Sequence, residues 1–171
     1  MPDEWIRQWG DPTLRQVAAP ITAVDEILHR QVMRMMRRLE ESAGAGLAAT
    51  QVGVMRRVFV FRLSAELDVD ALVNPRIVSR SAERVTFHEG CLSFNAVTVA
   101  VERSSAVRVE GQDLAGRARA FEVEDFGASL VQHETDHLDG ILTLDRAAAE
   151  ERRRAIRILL APASADHLRA A

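Results

Sequence analysis

The sequence predicts an α+β fold in which mostly antiparallel strands pack around a buried helix that carries an HExxH motif. Strand-like segments come mostly before the main helices, without a steady alternation of strand and helix. Two segments that flank a glycine-containing turn, residues 107–110 and 118–123, form the pattern of an antiparallel hairpin. Apolar residues flank the HExxH motif and predict burial of its helix: Leu130, Val131, Leu138, Ile141 and Leu142.

The first part of the chain predicts turns and then a long helix. Residues 10–21 contain glycine and prolines and are expected to form turns and extended chain. Apolar residues then recur at spacings of three and four over residues 23–42, which predicts a helix. Thr22 is the candidate N-cap of this helix. Gly44 and Gly46 are expected to end it.

The remaining elements are predicted from apolar and β-branched runs. A glycine-flanked loop is expected over residues 44–53. Besides the hairpin, strands are predicted at residues 58–63, 71–74, 77–79 and 96–101. Two further helices are predicted, one over residues 126–138 that stops at Gly140, and one over residues 147–160 that stops before Pro162.

Length and composition indicate one domain. The chain has 171 residues, of which 47% are hydrophobic, enough for a single core. We expect residues 1–171 to form one domain in which residues 147–171 are a C-terminal helical tail. No uncharged apolar stretch reaches the roughly 18 residues of a membrane span, and the N-terminus lacks an apolar signal core. A cytoplasmic monomer without a membrane partner is therefore expected.

Charge and cysteine content exclude further classes. A net charge of −3 provides no footprint for nucleic acid, so no DNA partner is expected. The single cysteine, Cys91, excludes an intramolecular disulfide and fits a reducing compartment.

The strongest local signal is the segment His133-Glu134-Thr135-Asp136-His137. On a helix, positions i and i+4 share one face, so both imidazoles could bind one metal ion. Glu134, beside the first ligand, could then activate a water as a general base. The alternative is a solvated helix face with two histidines. The apolar flanks favour burial, and buried histidines and glutamate need partners, which a metal ion supplies in part.

Cys91 is the candidate third ligand. A catalytic metal site needs three protein ligands and an open position, and HExxH supplies only two ligands. Cys91 follows Gly90 in a turn-like segment, although a lone cysteine can equally be a small buried apolar residue. One thiolate and two imidazoles suit zinc or ferrous iron, and poorly suit magnesium or calcium.

The third candidate motif is the loop that ends in Gln51. Its small residues, among them Gly46, would let a substrate backbone come close. The side-chain amide of Gln51 could stabilise a developing oxyanion. Taken alone, the segment fits a tight loop with a solvated glutamine better.

Together the three segments resemble the signature motifs of peptide deformylases, in the same order and with similar spacing. They are residues 44–51 (GAGLAATQ), 89–93 (EGCLS) and 132–137 (QHETDH). Outer segments agree too, so the likeness covers roughly residues 9–146: residues 11–15, 18–21, 72–75 and 142–146. The resemblance implies a hydrolase of protein biosynthesis that removes the N-terminal formyl group from formylmethionyl peptides and releases formate.

The resemblance also implies a role for each residue. Cys91, His133 and His137 would hold one divalent metal, generally Fe²⁺ in this family, with Zn²⁺, Ni²⁺ or Co²⁺ as alternatives. Glu134 would take a proton from the attacking water and pass it to the leaving amine. Gln51 and the backbone N–H of Leu92 would stabilise the oxyanion.

Further residues are expected around this centre. Those expected at the substrate are Ala45, Gly46, Phe87, Glu89, Gly90, Ser129 and Leu130. Arg103 and Asp136 are expected behind the site, where Arg103 would pair with Glu89. The alternative for that pair is an ordinary surface ion pair, which contributes little to stability.

Some positions depart from the family pattern and leave an alternative substrate open. They lie after the EGCLS segment and along the expected methionine pocket: Phe94, Asn95, Thr98, Ala45, Ser129 and Leu130. A deformylase specialised for another formylated peptide or for a small formylated metabolite is therefore one alternative.

Two rival functions remain open. An HExxH metalloprotease would need another third ligand, for which the downstream candidates are Asp139, Asp145, Glu150, Glu151 and His167. A metal-free binding protein should have lost Glu134 or a ligand, and none is lost.

The expected partners are formylated nascent peptides. The arginine-rich segment 150–157 suggests a transient ribosome contact through the C-terminal helix, against the alternative of a solvated face with Glu–Arg pairs.

Overall fold

The computed structural model describes residues 5–94 and 97–161. The helices are α1 (Glu26–Glu40), α2 (Asp125–Leu138), α3 (Thr143–Arg146) and α4 (Ala149–Leu160). The strands are β1 (Gly46–Ala48), β2 (Val58–Phe61), β3 (Asp70–Arg80), β4 (Arg84–Glu89), β5 (Val99–Ser104), β6 (Ala106–Gln112) and β7 (Ala118–Glu124). Short 3₁₀ helices span Pro12–Arg15 and Ala49–Val52.

The strands form two antiparallel sheets. The larger sheet has the order β1-β2-β3-β6-β7, and β4 pairs with β5 in a separate two-stranded sheet. Helix α2 contacts strands of both sheets, among them β1, β5 and β7. Residues 128–138 of α2 are all buried. The α+β prediction, with antiparallel strands around the helix that carries HExxH, is confirmed.

Helix α1 forms close to its predicted position, but its cap differs. Buried residues on one face recur at helical spacing: Leu28, Val32, Met35 and Leu39. The N-cap is Asp25, whose Oδ1 accepts a hydrogen bond from the N–H of Leu28 at 2.6 Å. The prediction of Thr22 as the cap is wrong, because the first helical turn begins after Asp25. The helix also ends at Glu40, before Gly44 and Gly46.

The hairpin of β6 and β7 is confirmed, with Val109 opposite Phe121. Two other predicted strands, residues 71–74 and 77–79, are parts of the single strand β3. An irregularity in the pairing between Val73 and Arg76 separates them. At this point Asn74 has a φ of 50° and its side-chain Oδ1 accepts from the N–H of Ile21 at 2.8 Å. The local kink explains why the strand looks broken in the sequence.

Other strands and helices differ from their predicted bounds or were not predicted. Strand β4 was not predicted, and β1 lies inside a segment predicted to be a loop. The strand predicted over residues 96–101 is observed as Val99–Ser104, while Asn95 lies outside the described residues. Helix α4 covers most of the predicted 147–160 helix, and residues 162–171 of the tail also lie outside the described part. Within residues 5–94 and 97–161, no helix combines the length and apolar composition that a membrane crossing requires.

Candidate active site

The structure brings the three candidate metal ligands together. His133 and His137 lie one turn apart on α2, and their Nε2 atoms are 3.2 Å from each other. Cys91, which directly follows β4 and Gly90, has its Sγ atom 3.2 Å from His137 Nε2. The ligand atoms of all three residues lie within 4.8 Å of one another. One soft sulfur donor and two imidazoles therefore converge on one point.

The atoms around this point fit a divalent cation. Glu89 Oε2 lies 2.9 Å from His133 Nδ1. Burial opposes the charge on Glu89, but hydrogen bonds from His133 and Arg103 outweigh it and lower the pKa of Glu89 to about 2. An ionised carboxylate only accepts hydrogen bonds, so Nδ1 of His133 carries a proton toward Glu89, and Nε2 is the ring atom left to bind a metal ion.

Glu134 lies beside the ligands on α2 and is buried. Burial raises the pKa of Glu134 to about 7, the range in which a carboxylate can both accept and return a proton near neutral pH. Its Oε2 atom is buried without a hydrogen-bond partner among the residues that the structure describes. A buried, unpartnered carboxylate oxygen next to three convergent ligands suits a reacting water as its missing partner.

Gly46 makes room for Glu134. A Cβ atom on Gly46 would lie 2.7 Å from Cδ of Glu134, closer than real Cβ contacts allow. Strand β1 and helix α2 therefore approach so closely that a larger residue at this position would displace the carboxylate of Glu134.

Hydrogen bonds at both the oxygen and the nitrogen of its amide fix the side chain of Gln51. Its Oε1 accepts from the N–H of Ala48 at 2.8 Å. Its Nε2 donates to Ser93 Oγ at 3.1 Å and approaches Cys91 Sγ at 3.5 Å. Gln51 is buried, so the alternative of a solvated loop glutamine is wrong.

A buried ion-pair network stands behind the ligands. Arg103 donates to Glu89 through Nε at 2.8 Å and through Nη2 at 3.0 Å. Its Nη1 donates to Asp136 Oδ2 at 2.5 Å. The side chains of Arg103 and Glu89 are each 5% exposed, so the alternative of a surface ion pair is wrong.

A cavity of about 450 Å³ opens in front of the ligands. The lining includes every residue predicted to contact substrate: Ala45, Gly46, Phe87, Glu89, Gly90, Ser129 and Leu130. Gln51, Cys91, Leu92, His133 and Glu134 also line it. The hydroxyl of Ser129 is turned toward Glu89 Oε1, to which it donates at 3.0 Å.

Sequence analysis missed several residues of this region. Phe126 lines the cavity and is 52% exposed. Its position four residues before Leu130 on the same helix was the signal that could have found it. Ser93 donates its N–H to Cys91 Sγ at 3.4 Å and was visible only as part of the EGCLS segment.

The ligands that a metalloprotease would need lie elsewhere. Three of the downstream candidates pair with arginines: Asp139 with Arg57, Asp145 with Arg15, and Glu151 with Arg154. Glu150 is exposed on α4, and His167 lies outside the described residues. In residues 5–94 and 97–161, only Cys91, His133 and His137 form a group that could hold a metal ion.

Comparisons with known proteins agree with one another. The model of the Polypeptide deformylase family matches residues 3–153. A peptide deformylase of Thermotoga neapolitana is 41% identical over 151 residues, which cover 86% of this chain and 88% of that protein. The crystal structure of peptide deformylase from Thermotoga maritima superposes with a TM-score of 0.80 and 40% identity, covering 84% of this chain and 96% of that one. A plant peptide deformylase superposes with a TM-score of 0.85 and 33% identity, covering 90% and 85%.

Proposed function

The chain belongs to the polypeptide deformylase family, and from this premise we infer that it is a peptide deformylase. It hydrolyses the N-terminal formyl group of formylmethionyl nascent peptides and releases formate. The observation that carries this inference for the site is the convergence of Cys91 Sγ and two imidazole Nε2 atoms beside the buried carboxylate of Glu134.

Cys91, His133 and His137 would hold one divalent metal. When bound, such an ion supplies Lewis acidity to the formyl oxygen and lowers the pKa of water from 15.7 toward about 7. The ligand set suits Fe²⁺, which we propose as the native metal, and also Zn²⁺, Co²⁺ or Ni²⁺.

Glu134 would move the proton. Its buried Oε2 atom has no hydrogen-bond partner among the described residues and can accept a proton from the attacking water. The water oxygen then adds to the formyl carbon. When the carbon–nitrogen bond breaks, Glu134 returns the proton to the leaving amine, so that formate and a free N-terminus remain.

Gln51 and the backbone N–H of Leu92 would stabilise the oxyanion. The hydrogen bond from Ala48 to Gln51 Oε1 fixes the amide, so that the NH₂ group of Gln51 points toward Ser93 Oγ and Cys91 Sγ. A donor fixed before the reaction needs no reorganisation when the negative charge develops. Leu92 lines the same cavity and follows Cys91 directly.

We also propose a cytoplasmic setting and a contact with the ribosome. The free Cys91 thiol suits a reducing cytoplasm. Arg152, Arg153 and Arg157 are exposed on α4, and such clustered charge would suit ribosomal RNA phosphates. Arg154 instead pairs with Glu151, as expected for the alternative of a solvated face. Co-sedimentation with ribosomes, with and without residues 148–171, tests the contact.

The other functions considered are not favoured. The relatives from Thermotoga and the plant protein are named peptide deformylases, which favours neither a specialised substrate nor a metalloprotease.

The test is formate release from formyl-Met-Ala-Ser under anaerobic conditions. We expect Glu134→Ala to lower kcat by about 10²–10⁴-fold, the scale of lost acid–base catalysis. Metal content should stay near one ion per chain, because Glu134 is not a ligand. Glu110→Gln, on a partly exposed glutamate of β6, is the matched control and should keep full activity. Absence of formate release by the metal-loaded protein would refute the proposed function.

A further inference from the structure

A line of alternating charges runs from His133 to the protein surface. His133 Nδ1 contacts Glu89, and both oxygens of Glu89 accept from Arg103. Arg103 then donates to Asp136 Oδ2 at 2.5 Å. Asp136 finally accepts from Arg146, through Oδ1 at 2.6 Å and Oδ2 at 3.0 Å.

The two ends of this line differ in exposure. The Arg103 side chain is 5% exposed and that of Asp136 is 11% exposed, whereas that of Arg146 is 45% exposed. Arg146 is therefore the point at which a buried network of fixed charges reaches solvent. A bidentate guanidinium holds a carboxylate in position as well as in charge, because two parallel bonds fix its plane.

Helix α3 contacts this region a second time. Thr143 and Arg146 are three residues apart on α3 and so share a face. Thr143 Oγ1 lies 3.4 Å from His133 Nδ1, the same atom that Glu89 holds. The helix thus meets the ring of His133 directly through Thr143 and indirectly through Arg146.

We propose that Arg146 is a positioning residue for the metal ligand His133 and acts through Asp136, Arg103 and Glu89. Without Arg146, Asp136 keeps Arg103 as its charged partner but loses the two hydrogen bonds from the guanidinium that fix the plane of its carboxylate. Arg103 is then less firmly placed, and Glu89 holds the His133 ring less firmly in turn. The inference rests on the proposed function only in taking His133 as a metal ligand.

The test compares Arg146→Met with a matched control. Arg15→Met removes a neighbouring ion pair, with Asp145, at nearly the same exposure of 49%. That pair is not joined to His133 in the described network. Each variant is loaded with Co²⁺ under anaerobic conditions. The measurements are the visible absorption spectrum, the rate of Co²⁺ loss to a chelator, the unfolding temperature, and kcat and KM for formyl-Met-Ala-Ser.

We expect Arg146→Met to release Co²⁺ roughly 10-fold faster, the lower end of the effect of outer-sphere partners on metal affinity. Its cobalt spectrum should shift, and kcat should fall while KM holds. Arg146→Lys should restore part of the retention, because an ammonium replaces the charge but not the planar fork. Arg15→Met should lower the unfolding temperature to a similar extent and leave the cobalt spectrum and release rate unchanged.

An unchanged spectrum and release rate in Arg146→Met would overturn the proposal and leave Arg146 as a tie between α3 and α2. If Arg146→Met does not fold, Arg146→Lys decides by the same measurements. The two proposals fail separately. Normal formate release with unaltered cobalt retention in Arg146→Met refutes only the positioning role. Altered retention in a protein that releases no formate refutes only the deformylase function.

Discussion

The two sides of the metal-ligand set differ in chemistry, because one is a charged network and the other includes an apolar wall. Behind it, Glu89, Arg103 and Asp136 form a buried network in which each charge has an opposite charge as partner. In front of it, the cavity wall includes the apolar side chains of Phe87, Phe126 and Leu130. The difference indicates that the back wall holds the ligands in place, whereas the front wall receives the substrate.

The two imidazoles also differ from each other, in the hydrogen-bond partners of their Nδ1 atoms. His133 Nδ1 has Glu89 at 2.9 Å and Thr143 at 3.4 Å. His137 Nδ1 is buried and has no hydrogen-bond partner among residues 5–94 and 97–161. The Nδ1 atom of His133 is thus held by polar partners, whereas His137 makes its polar contacts through Nε2, with Cys91 Sγ and His133 Nε2.

Arg103→Met should disrupt the back wall and lower the free energy of unfolding, the largest effect that we expect. It leaves Glu89 and the almost buried Asp136 without their shared cation, and removal of one partner from a buried ion pair costs about 3–5 kcal/mol. Chemical denaturation measures the free energy of unfolding. Arg84→Met, which breaks an exposed pair with Glu102 on the same two-stranded sheet, should cost at most about 1 kcal/mol. Equal losses would show that the buried network contributes no more than a surface pair.

Gly46→Ala tests the boundary between the two walls. The added methyl group would overlap the carboxylate of Glu134 and push it from its position. A displacement of about 1 Å in a reacting group can cost on the order of 10² in rate, so kcat for formyl-Met-Ala-Ser should fall by that factor. Metal content should not change. Gly90→Ala, where no atom lies within 4 Å of the new Cβ, should lose clearly less activity. Comparable losses would mean that Glu134 moves aside freely.

The two histidines of the centre could be predicted because their spacing is local in the sequence, whereas the role of Cys91 followed from the resemblance of its EGCLS segment to peptide deformylases. Helical spacing alone puts His133 and His137 on one face, and the apolar flanks of α2 predict its burial. Strand β4 was missed for a physical reason. Its alternating pattern is short, with only two apolar residues, Val85 and Phe87, and it joins β5 without a tight turn that could mark a hairpin.

The partners behind the site could not be predicted in full. Arg146 meets Asp136 only because the chain reverses near Gly140 and brings α3 against α2. No periodicity relates two residues across such a turn. The Thr22 prediction failed for a similar reason. Two polar residues, Thr22 and Asp25, closely precede α1, and the tertiary contact of Asp25 with Arg56 at 3.0 Å favours Asp25.

Phe126→Ala should have the smallest effect, and it falls on the front wall alone. Phe126 is 52% exposed, so its loss should change the free energy of unfolding by no more than about 0.5 kcal/mol. Loss of apolar contact in a binding pocket is worth roughly 10-fold in kcat/KM at the lower end. We expect that loss for formyl-Met-Ala-Ser and a smaller one for formyl-Ala-Ala-Ser, whose first side chain reaches less of the wall.

The ratio of the two substrates is the decisive measurement for Phe126. Ile158→Ala, at a similarly exposed apolar residue of α4, is the control and should alter neither the ratio nor the stability. If Phe126→Ala slows both substrates equally and also weakens metal retention, Phe126 supports the ligands rather than the substrate. The front wall would then also hold the metal ligands in place, and the two walls would not have separate functions.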